Sequence, residues 1–259
     1  MQADITRITD WLRQRMTASA TSGFVVGLSG GLDSAVVLRL CQLASNDHVA
    51  GLIMPCGSDP KDEADARLVA THFSAPVVAV DLNATNDALL AQLRAVVEEL
   101  PENLISAARL SDSAASARVP LANIRPRLRM TSLYFVANLL NYLVAGTGNR
   151  SELTLGYFTK YGDGAADVLP IGHLLKSEVR QLAKALNVPQ SVIDKVPSAG
   201  LWVGQTDEAE MGFKYDDLEA YLTGGPEAVS PALALRLERT IRGTEHKRAM
   251  PPTPESDGS

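Results

Sequence analysis

The segment that most constrains this chain is an eight-residue loop, Gly27–Ser34, with the sequence Gly-Leu-Ser-Gly-Gly-Leu-Asp-Ser. The apolar stretch before it, Phe24–Val26, has the length of a buried strand, and the stretch after it, Ala35–Leu40, has helical apolar periodicity. Glycines without Cβ atoms let backbone N–H groups approach an anion, and a helix start adds unpaired donors and a positive dipole end. The loop therefore predicts an anion site between a strand and a helix.

This loop differs from the two best-known phosphate-binding loops. No Gly-Lys-Ser/Thr follows it, as a Walker A loop requires, and its glycines lack the G-x-G-x-x-G spacing of dinucleotide-binding turns. Its Ser-Gly-Gly-x-Asp-Ser pattern resembles the pyrophosphate loop of the ATP pyrophosphatase superfamily. The resemblance implies cleavage of ATP between its α- and β-phosphates. The alternative is an ordinary Gly-Gly turn before a helix.

Short apolar runs typical of strands alternate along the chain with segments of helical apolar periodicity, and this alternation predicts an α/β fold. We expect strands over Phe24–Leu28, Val49–Pro55, Ala75–Asp81 and Leu143–Gly146. We expect helices over Ile5–Met16, Ser34–Ala44, Asp59–Phe73, Asp87–Leu100, Asn123–Leu140, Leu174–Leu186, Asp216–Leu222 and Pro231–Thr240. This alternation predicts a doubly wound, mainly parallel sheet with helices on both faces, similar to Rossmann-like and adenine nucleotide alpha-hydrolase-like folds.

The length and composition fit one such domain. A chain of 259 residues that is 46% hydrophobic can bury a substantial core, so we expect a single domain over residues 1–259. The Pro/Ser/Asp-rich tail, about residues 250–259, is expected to be flexible. A formal net charge of −6 argues against a general nucleic-acid binder, because phosphate backbones require a basic surface.

Compartment signals favour the cytoplasm. The charged N-terminus contains no apolar leader, and no apolar run approaches the roughly 18 residues of a membrane span. The two cysteines, Cys41 and Cys56, form no C-x-x-C pair and fit a reducing compartment. We therefore expect a cytoplasmic protein with no membrane partner.

Further polar segments lie outside the predicted core. Thr147–Glu152 follows the fourth strand, where open α/β sheets bind ligands, although a capped helix start would look the same. Gly156–Asp167 contains three glycines, three aromatic residues, Lys160 and two aspartates. The aromatic residues could stack on a flat heterocycle and Lys160 could bind a carboxylate or phosphate; a loop with aromatic anchors is the alternative. Lys195–Glu208 is long and unperiodic, which suggests function, and Ser106–Val119 is expected to be a loop and a lid.

Basic residues form two clusters. Asn123–Met130 places Arg125, Arg127 and Arg129 within five residues, and arginine suits bidentate contacts with phosphate or carboxylate. His246-Lys247-Arg248 stands near the end of the chain. Each cluster also fits an ordinary solvated surface. The four histidines lack metal-ligand spacing, so we expect no zinc site.

Taken together and in this order, these segments resemble NAD synthetase in its ammonia-dependent form, over nearly the whole chain. Phe158–Gly164 and Pro197–Trp202 are the most family-specific of them. The resemblance implies a ligase that forms a C–N bond. ATP adenylates the carboxylate of deamido-NAD (nicotinic acid adenine dinucleotide), pyrophosphate leaves, and ammonia displaces AMP to give NAD, the last step of NAD biosynthesis. Since the chain lacks the additional N-terminal domain of glutamine-dependent relatives, free ammonia is the expected nitrogen source; a separate amidotransferase subunit that supplies the ammonia is the alternative.

The resemblance also implies roles for individual residues. Asp33 and Lys176 are the expected catalytic residues, and Asp33 and Glu152 are the expected Mg²⁺ ligands. The residues expected to bind ATP are Gly27, Leu28, Ser29, Gly30, Gly31, Leu32, Asp33, Ser34, Thr147, Lys176 and Ser198. The residues expected to bind deamido-NAD are Arg127, Lys160, Asp167, His246 and Lys247. Because the family is dimeric, we expect a homodimer with active sites near an interface that contains the helix Asn123–Leu140.

Two other functions share the loop. An ATP pyrophosphatase that thiolates or amidates a tRNA base needs a basic surface and usually reactive cysteines, so the net charge and the two isolated cysteines weigh against it. A regulatory nucleotide-binding protein could have kept the loop and lost the chemistry. The presence of Asp33, Glu152, Lys160 and Lys176 favours an enzyme.

Overall fold

The computed structural model describes residues 1–105, 115–197 and 207–254, and for residues 105 and 115–118 the backbone alone. In these ranges one parallel sheet is formed by β1 (Phe24–Gly27), β2 (Val49–Ile53), β3 (Val77–Ala79) and β4 (Leu143–Ala145). The strand order is β3-β2-β1-β4. The predicted α/β fold with a parallel sheet is confirmed, and each observed strand lies within its predicted range.

The register of the sheet places all four carboxyl ends at one edge. Phe24 of β1 is opposite Val49 of β2 and Leu143 of β4, and Gly51 of β2 is opposite Val77 of β3. The chain builds outward from β1 through β2 to β3, and then returns to the other side of β1 to form β4. This reversal between β1 and β4 is the point at which open α/β sheets form a ligand crevice.

Helices account for most of the remaining described chain. They are α1 (Gln2–Ser19), α2 (Leu32–Ala44), α3 (Pro60–His72), α4 (Asn83–Glu98), α5 (Glu102–Ile105), α6 (Ala115–Ala122), α7 (Ile124–Leu140), α8 (Arg150–Leu155), α9 (Lys176–Ala185), α10 (Gln190–Ile193), α11 (Asp207–Met211), α12 (Tyr215–Gly224) and α13 (Pro231–Gly243). In the ranges that the structure describes, none of the helices is both long enough and apolar enough to cross a membrane.

The sheet is covered on both faces. Phe24 and Val26 of β1 pack into one core with Leu38 of α2, whereas Val25 packs into a second core with Ala137 of α7. Successive side chains of a strand point to opposite faces, so a sheet that is buried on both sides has continuous apolar strands. The doubly wound arrangement predicted from such strands is confirmed.

A third and smaller core lies beside the sheet. It joins α8 to α11, α12 and α13 through Leu155, Met211, Leu218 and Leu237, all of which are buried. Because α8 follows β4, this core connects the C-terminal helices to the carboxyl edge of the sheet.

Several helices differ from the sequence-based expectation. The expected loop is wrong over residues 115–119, which belong to α6, while residues 106–114 lie outside the described ranges. Apolar periodicity misses α6 because it is short, whereas its alanines favour a helix regardless of pattern. Helix α4 begins at Asn83 rather than Asp87, since the Asp81 carboxylate accepts from the Asn83 N–H at 2.8 Å. The four- to six-residue helices α5, α8, α10 and α11 were not predicted as helices.

Candidate active site

A cavity of about 800 Å³ opens at the carboxyl edge of the sheet. The loop Gly27–Ser34 forms one wall, and the other walls come from residues that follow β2, β3 and β4 and from the start of α9. The cavity therefore lies at the crevice between β1 and β4, and its volume is in the range of small-molecule and cofactor sites.

Hydrogen bonds across the loop Gly27–Ser34 fix its shape. Ser34 Oγ donates to the Gly31 carbonyl at 2.9 Å and lies 3.1 Å from Ser29 Oγ. The Gly31 N–H donates to Ser29 Oγ at 3.2 Å. Leu32, Asp33 and Ser34, the first residues of α2, line the cavity, so the positive end of the helix dipole lies at the cavity wall. The loop joins a strand to a helix start at the cavity wall, as its sequence predicts, and helix starts of this kind favour anions.

Gly30 has a specific reason to be glycine. Its φ is +75°, and a Cβ atom at this position would meet the Asp62 carbonyl oxygen at 2.2 Å and the Ala66 nitrogen at 2.9 Å. The loop thus lies directly against the beginning of α3. A side chain at position 30 would both strain the backbone and push the loop away from α3.

The structure brings Asp33, Glu152 and Lys176 together in the cavity. The ammonium group of Lys176 donates to Asp33 Oδ2 and lies 3.5 Å from Glu152 Oε1. Asn149 Nδ2 donates to Asp33 Oδ1 at 3.1 Å, so both oxygens of Asp33 have a partner. The Lys176 ammonium also lies 5.5 Å from the centre of the Tyr215 ring. Three residues that are remote in sequence therefore form one charged group beside the loop Gly27–Ser34, which we call the phosphate loop.

Glu152 has two roles in the structure. Asn149 and Glu152 form a capping box at the start of α8: Asn149 Oδ1 accepts from the Glu152 N–H at 3.0 Å, and Glu152 Oε2 accepts from the Asn149 N–H at 3.2 Å. The other carboxylate oxygen, Oε1, faces Lys176. The interpretation of Thr147–Glu152 as a capped helix start is therefore confirmed, and the same segment presents an acid to the cavity.

Burial and mutual attraction set the charges in this group. Burial raises the pKa of the Glu152 carboxyl to about 8, while the Lys176 ammonium lowers it and the Asp33 carboxylate raises it further. Burial opposes the charge of Lys176, but the carboxylates of Asp33 and Glu152 outweigh this effect and raise the pKa of Lys176. With both acids ionised, two carboxylates share one ammonium group, and the site favours an additional cation.

The donor set of Asp33 and Glu152 fits a magnesium ion that binds together with phosphates. Mg²⁺ is usually held by one or two carboxylates, water and phosphate oxygens rather than by a complete protein cage. Among the described residues, no group of three or more His, Cys, Asp or Glu side chains could hold a metal ion by itself. Two carboxylates beside a phosphate loop meet the requirement for a shared site.

Two further residues were expected to bind ATP. Thr147 lines the cavity just after the end of β4. Ser198 lies outside the described residues, as does the rest of the family-specific segment Pro197–Trp202 apart from Pro197, which lines the cavity.

Three of the residues expected to bind deamido-NAD form a chain of contacts outside the cavity lining. Arg127 Nη2 donates to the Lys160 carbonyl at 3.3 Å, and the Lys160 ammonium donates to the His246 carbonyl. The Arg127 and His246 side chains are exposed. The structure therefore collects these three residues, but it collects them on the surface next to α7.

The other two residues of that set hold backbone segments in place. Lys247 lines the cavity, and its ammonium donates to the carbonyls of Gly156 at 2.7 Å and Phe158 at 2.8 Å. Asp167 Oδ2 accepts from the Val144 N–H of β4 at 2.8 Å, and Oδ1 accepts from the Tyr134 hydroxyl at 3.3 Å. Lys247 is thus at the cavity, whereas Asp167 connects β4 to α7.

Sequence reasoning missed three residues of the cavity region. Asn149 orients Asp33, Lys195 forms ion pairs beside the phosphate loop, and Asp207 is buried with Oδ2 accepting from the Tyr215 hydroxyl at 2.9 Å. Within the described ranges, Asp207 Oδ1 has no hydrogen-bond partner. The capping-box spacing could have identified Asn149. The polar stretch Lys195–Glu208 contains the other two, but its composition does not distinguish them.

Comparisons with known proteins agree with the geometry. The family model described as NAD synthase matches residues 4–251. The NH(3)-dependent NAD(+) synthetase of Carboxydothermus hydrogenoformans is 47% identical over 248 residues, which cover 96% of this chain and 95% of the relative. The enzyme of the same description from Finegoldia magna is 42% identical, with 93% of this chain and 91% of the relative covered.

Solved structures give the same result. The chain superposes on an NMN synthetase from Francisella tularensis with a TM-score of 0.86 and 34% identity, covering 98% of both chains. It superposes on an NH3-dependent NAD synthetase from Campylobacter jejuni with a TM-score of 0.76 and 30% identity, covering 98% of this chain and 99% of that one. The chain has a parallel sheet with a phosphate loop at its edge and a carboxylate pair around Lys176, and it is similar to these proteins over nearly its full length. We conclude that the chain belongs to the NAD synthase family.

Proposed function

We propose that this chain catalyses the ATP-dependent amidation of deamido-NAD by ammonia, giving NAD, AMP and pyrophosphate. Its relatives that are NH(3)-dependent NAD(+) synthetases support this activity. The structural observation that carries the proposal is the Lys176 ammonium between Asp33 and Glu152 at the phosphate loop. This arrangement suits a reaction in which pyrophosphate leaves ATP.

The first step joins two anions. A carboxylate oxygen of the nicotinate ring attacks the α-phosphorus of ATP, the bond to the bridging oxygen of the β-phosphate breaks, and pyrophosphate leaves with that electron pair. No protein nucleophile is required, so the protein contributes position and charge neutralisation. We place the leaving pyrophosphate on the loop Gly27–Ser34, where the positive end of the α2 dipole lies at the cavity wall, with Lys176 alongside.

We assign Asp33 and Glu152 as the ligands of Mg²⁺, and Thr147 and Ser198 as further ATP contacts. When bound, the ion supplies positive charge to the phosphate oxygens. Lys176 and Asn149 hold the two oxygens of Asp33, and the capping box holds Glu152, so the carboxylates are oriented before the nucleotide arrives.

The second step forms the amide. Ammonia attacks the acyl carbon of the adenylate, the C–O bond to AMP breaks, and the nitrogen gives up one proton to solvent as the amide forms. A free carboxylate would have to expel oxide, which is a very poor leaving group. Adenylation replaces that oxide by AMP, and this is why ATP is consumed.

We propose that the acceptor site is completed in a homodimer. Phe135 and Leu139 of α7 are 70% and 74% exposed, and Leu93 and Val96 of α4, which packs against α7, are also exposed. Several large apolar side chains exposed on two adjacent helices are typical of a protein–protein interface. Arg127 is on the same helix and contacts Lys160, which contacts His246, so a second subunit on α7 would lie next to these residues.

We also propose that residues 1–259 form a single domain that works in the cytoplasm. Two of the described cores cover the two faces of one sheet and the third is joined to it through α8, which supports one folding unit. Cys41 and Cys56 are both buried and unpaired, which fits a reducing compartment.

One assay tests the main proposal. Purified protein with ATP, Mg²⁺, deamido-NAD and an ammonium salt should form NAD, AMP and pyrophosphate in equal amounts. Omission of the acceptor should abolish AMP formation. Folded protein that forms no AMP under these conditions would contradict the proposal, as would AMP formation only in the presence of tRNA.

The similarity to an NMN synthetase introduces a second acceptor for the same chemistry. That neighbour has a higher TM-score than the NAD synthetase from Campylobacter jejuni, 0.86 against 0.76. The assay should therefore compare deamido-NAD with nicotinic acid mononucleotide at equal concentration. We expect a higher kcat/KM for deamido-NAD, because the curated relatives are NAD(+) synthetases. The opposite ratio would assign the mononucleotide as the substrate.

A further inference from the structure

The ammonium group of Lys195 connects three points at the edge of the cavity. It donates to Asp65 Oδ2 at 2.5 Å and to Asp62 Oδ1 at 2.9 Å, and it lies 3.4 Å from the Gly30 carbonyl oxygen. Both aspartates are on α3, and Gly30 is in the phosphate loop. Lys195 and Asp62 line the cavity. Lys195 therefore joins the phosphate loop to α3 at the wall where a nucleotide would bind.

The two aspartates are unfavourable neighbours for phosphate. Acidic residues near a helix start stabilise the helix, and α3 has Asp62 and Glu63 in its first turn. The same charges repel a phosphate group that binds to the adjoining loop. The loop and the backbone of α3 are close together, because a Cβ atom on Gly30 would already meet the Asp62 carbonyl oxygen. A cation at this position is needed to remove the repulsion.

Lys195 is suited to that task. Its side chain is 27% exposed, and the side chains of Asp62 and Asp65 are 26% and 30% exposed, so bulk solvent screens the three charges only in part. Burial opposes the charge of Lys195, but hydrogen bonds to Asp65 and Asp62 outweigh it and raise the pKa of Lys195. The lysine thus remains charged between the two carboxylates.

We infer that Lys195 is a positioning residue for ATP, which acts by neutralising Asp62 and Asp65 beside the phosphate loop. The inference rests on the proposed function, since it takes the phosphates of ATP as the ligand of the loop. Lys195 acts through its two carboxylate partners and the Gly30 carbonyl. It does not need to contact the phosphates itself.

The first test is the binding of ATP with Mg²⁺ in the absence of acceptor, measured by titration calorimetry. Lys195→Met should weaken ATP binding about tenfold, the effect of one partly screened charge at short range. Lys61→Met is the matched control, because Lys61 is an exposed lysine on α3, the helix that carries Asp62 and Asp65, and the substitution removes the same charge. A Kd in Lys195→Met equal to that in the control would overturn the inference.

The second test separates neutralisation from direct phosphate contact. The triple variant Lys195→Met, Asp62→Asn, Asp65→Asn removes the cation together with the charges that it neutralises. We expect its Kd for ATP to return to within about threefold of the wild-type value, because the repulsion is absent. A triple variant that binds ATP as weakly as Lys195→Met would overturn the inference and assign Lys195 a direct contact.

A third variant keeps the test valid even if Lys195→Met folds poorly. Asp62→Asn, Asp65→Asn retains Lys195 without its anionic partners, and we expect ATP to bind about threefold more tightly. Weaker binding in this double variant would overturn the inference. Wild-type protein that binds ATP but forms no NAD would contradict the proposed function alone, whereas unchanged ATP binding in Lys195→Met would contradict this inference alone.

Discussion

The two halves of the proposed active site are built differently. Around the phosphate loop, Asp33, Glu152 and Lys176 contact one another through side-chain atoms in a largely buried cavity. On the acceptor side, Arg127 and Lys160 contact backbone carbonyls on an exposed surface beside α7. The described residues assigned to ATP therefore meet within one chain, whereas those assigned to the acceptor lie on an open surface.

This difference follows from how each half is supported. The residues of the ATP half follow strand ends or begin helices that pack on the sheet, so the core fixes their positions. The acceptor residues lie next to an apolar helix face that is exposed in the single chain, with Phe135 70% exposed. We conclude that ATP binding should depend on one subunit, and that use of the acceptor should depend on two. The following predictions test this distinction, beginning with the largest effect.

Replacement of Asp33 should have the largest effect. Asp33→Asn keeps the size of the side chain but removes the charge that pairs with Lys176 and that we assign to Mg²⁺. We expect adenylation to fall about 1,000-fold, the magnitude seen when one preorganised electrostatic contact is removed from an active site. Formation of AMP is the measurement, and circular dichroism should show an unchanged fold. Asp10→Asn, on the exposed face of α1, is the control, and adenylation within about tenfold of wild type would refute the assignment.

Charged substitutions on the apolar face of α7 should impair use of the acceptor without affecting ATP binding. Phe135→Asp with Leu139→Asp should convert a dimer to a monomer and lower kcat/KM for deamido-NAD on the order of 30-fold, the cost of a central interface contact. ATP binding should be unchanged. Sedimentation velocity gives the oligomeric state, and Leu235→Asp, an exposed leucine on α13, serves as control. A variant that remains dimeric, or a monomer with full activity, would contradict the proposed interface.

Removal of the Lys160 ammonium should have a smaller and selective effect. Lys160→Ala should raise KM for deamido-NAD about tenfold, as expected when one hydrogen bond to a charged group is lost. KM for ATP should stay the same, because Lys160 is outside the cavity lining. Steady-state kinetics with each substrate varied in turn provide the measurement, with Lys184→Ala as an exposed control. An increase in KM for ATP alone would contradict the assignment of Lys160 to the acceptor half.

The smallest effect concerns stability. The pKa of Glu152 is raised from 4.5 to about 8, so its contribution to the free energy of unfolding is complete below pH 4.5 and is lost as the pH rises towards 8. Metal-free protein should therefore melt a few degrees lower at pH 8 than at pH 5.5. Differential scanning calorimetry measures the change. Glu152→Gln, which retains the cap, should show a smaller decrease. An equal decrease in this variant would show that other groups are responsible.

Much of the ATP half could be predicted from the sequence. The loop Gly27–Ser34 has its chemistry in contiguous residues, and its flanking apolar stretches predict the strand and helix that shape it. Asp33 and Glu152 each stand just beyond a strand, and parallel strands end at one edge, which is why they meet. Asn149 could have been found as well, since its spacing from Glu152 is that of a capping box.

The remainder depended on contacts between distant segments. Lys195 meets Asp62, Asp65 and Gly30 only because α3 lies against the phosphate loop, and no local pattern contains that information. Likewise, Arg127, Lys160 and His246 lie together because two segments distant in the sequence pack beside α7, which carries Arg127. The irregular appearance of residues 115–119 concealed α6 for a related reason, because a short helix supported by its neighbours need not be amphipathic.

The sequence by itself thus determined the fold class, the position of the phosphate loop and the presence of Asp33, Glu152 and Lys176 at the cavity. These properties depend on backbone conformations and apolar periods that neighbouring residues specify. Only the tertiary structure decided that Lys176 stands between two acids, that Lys195 shields the loop from α3, and that the acceptor residues lie on an open face. Those features depend on distances between side chains far apart in the chain, and such distances are set by how the helices pack on the sheet.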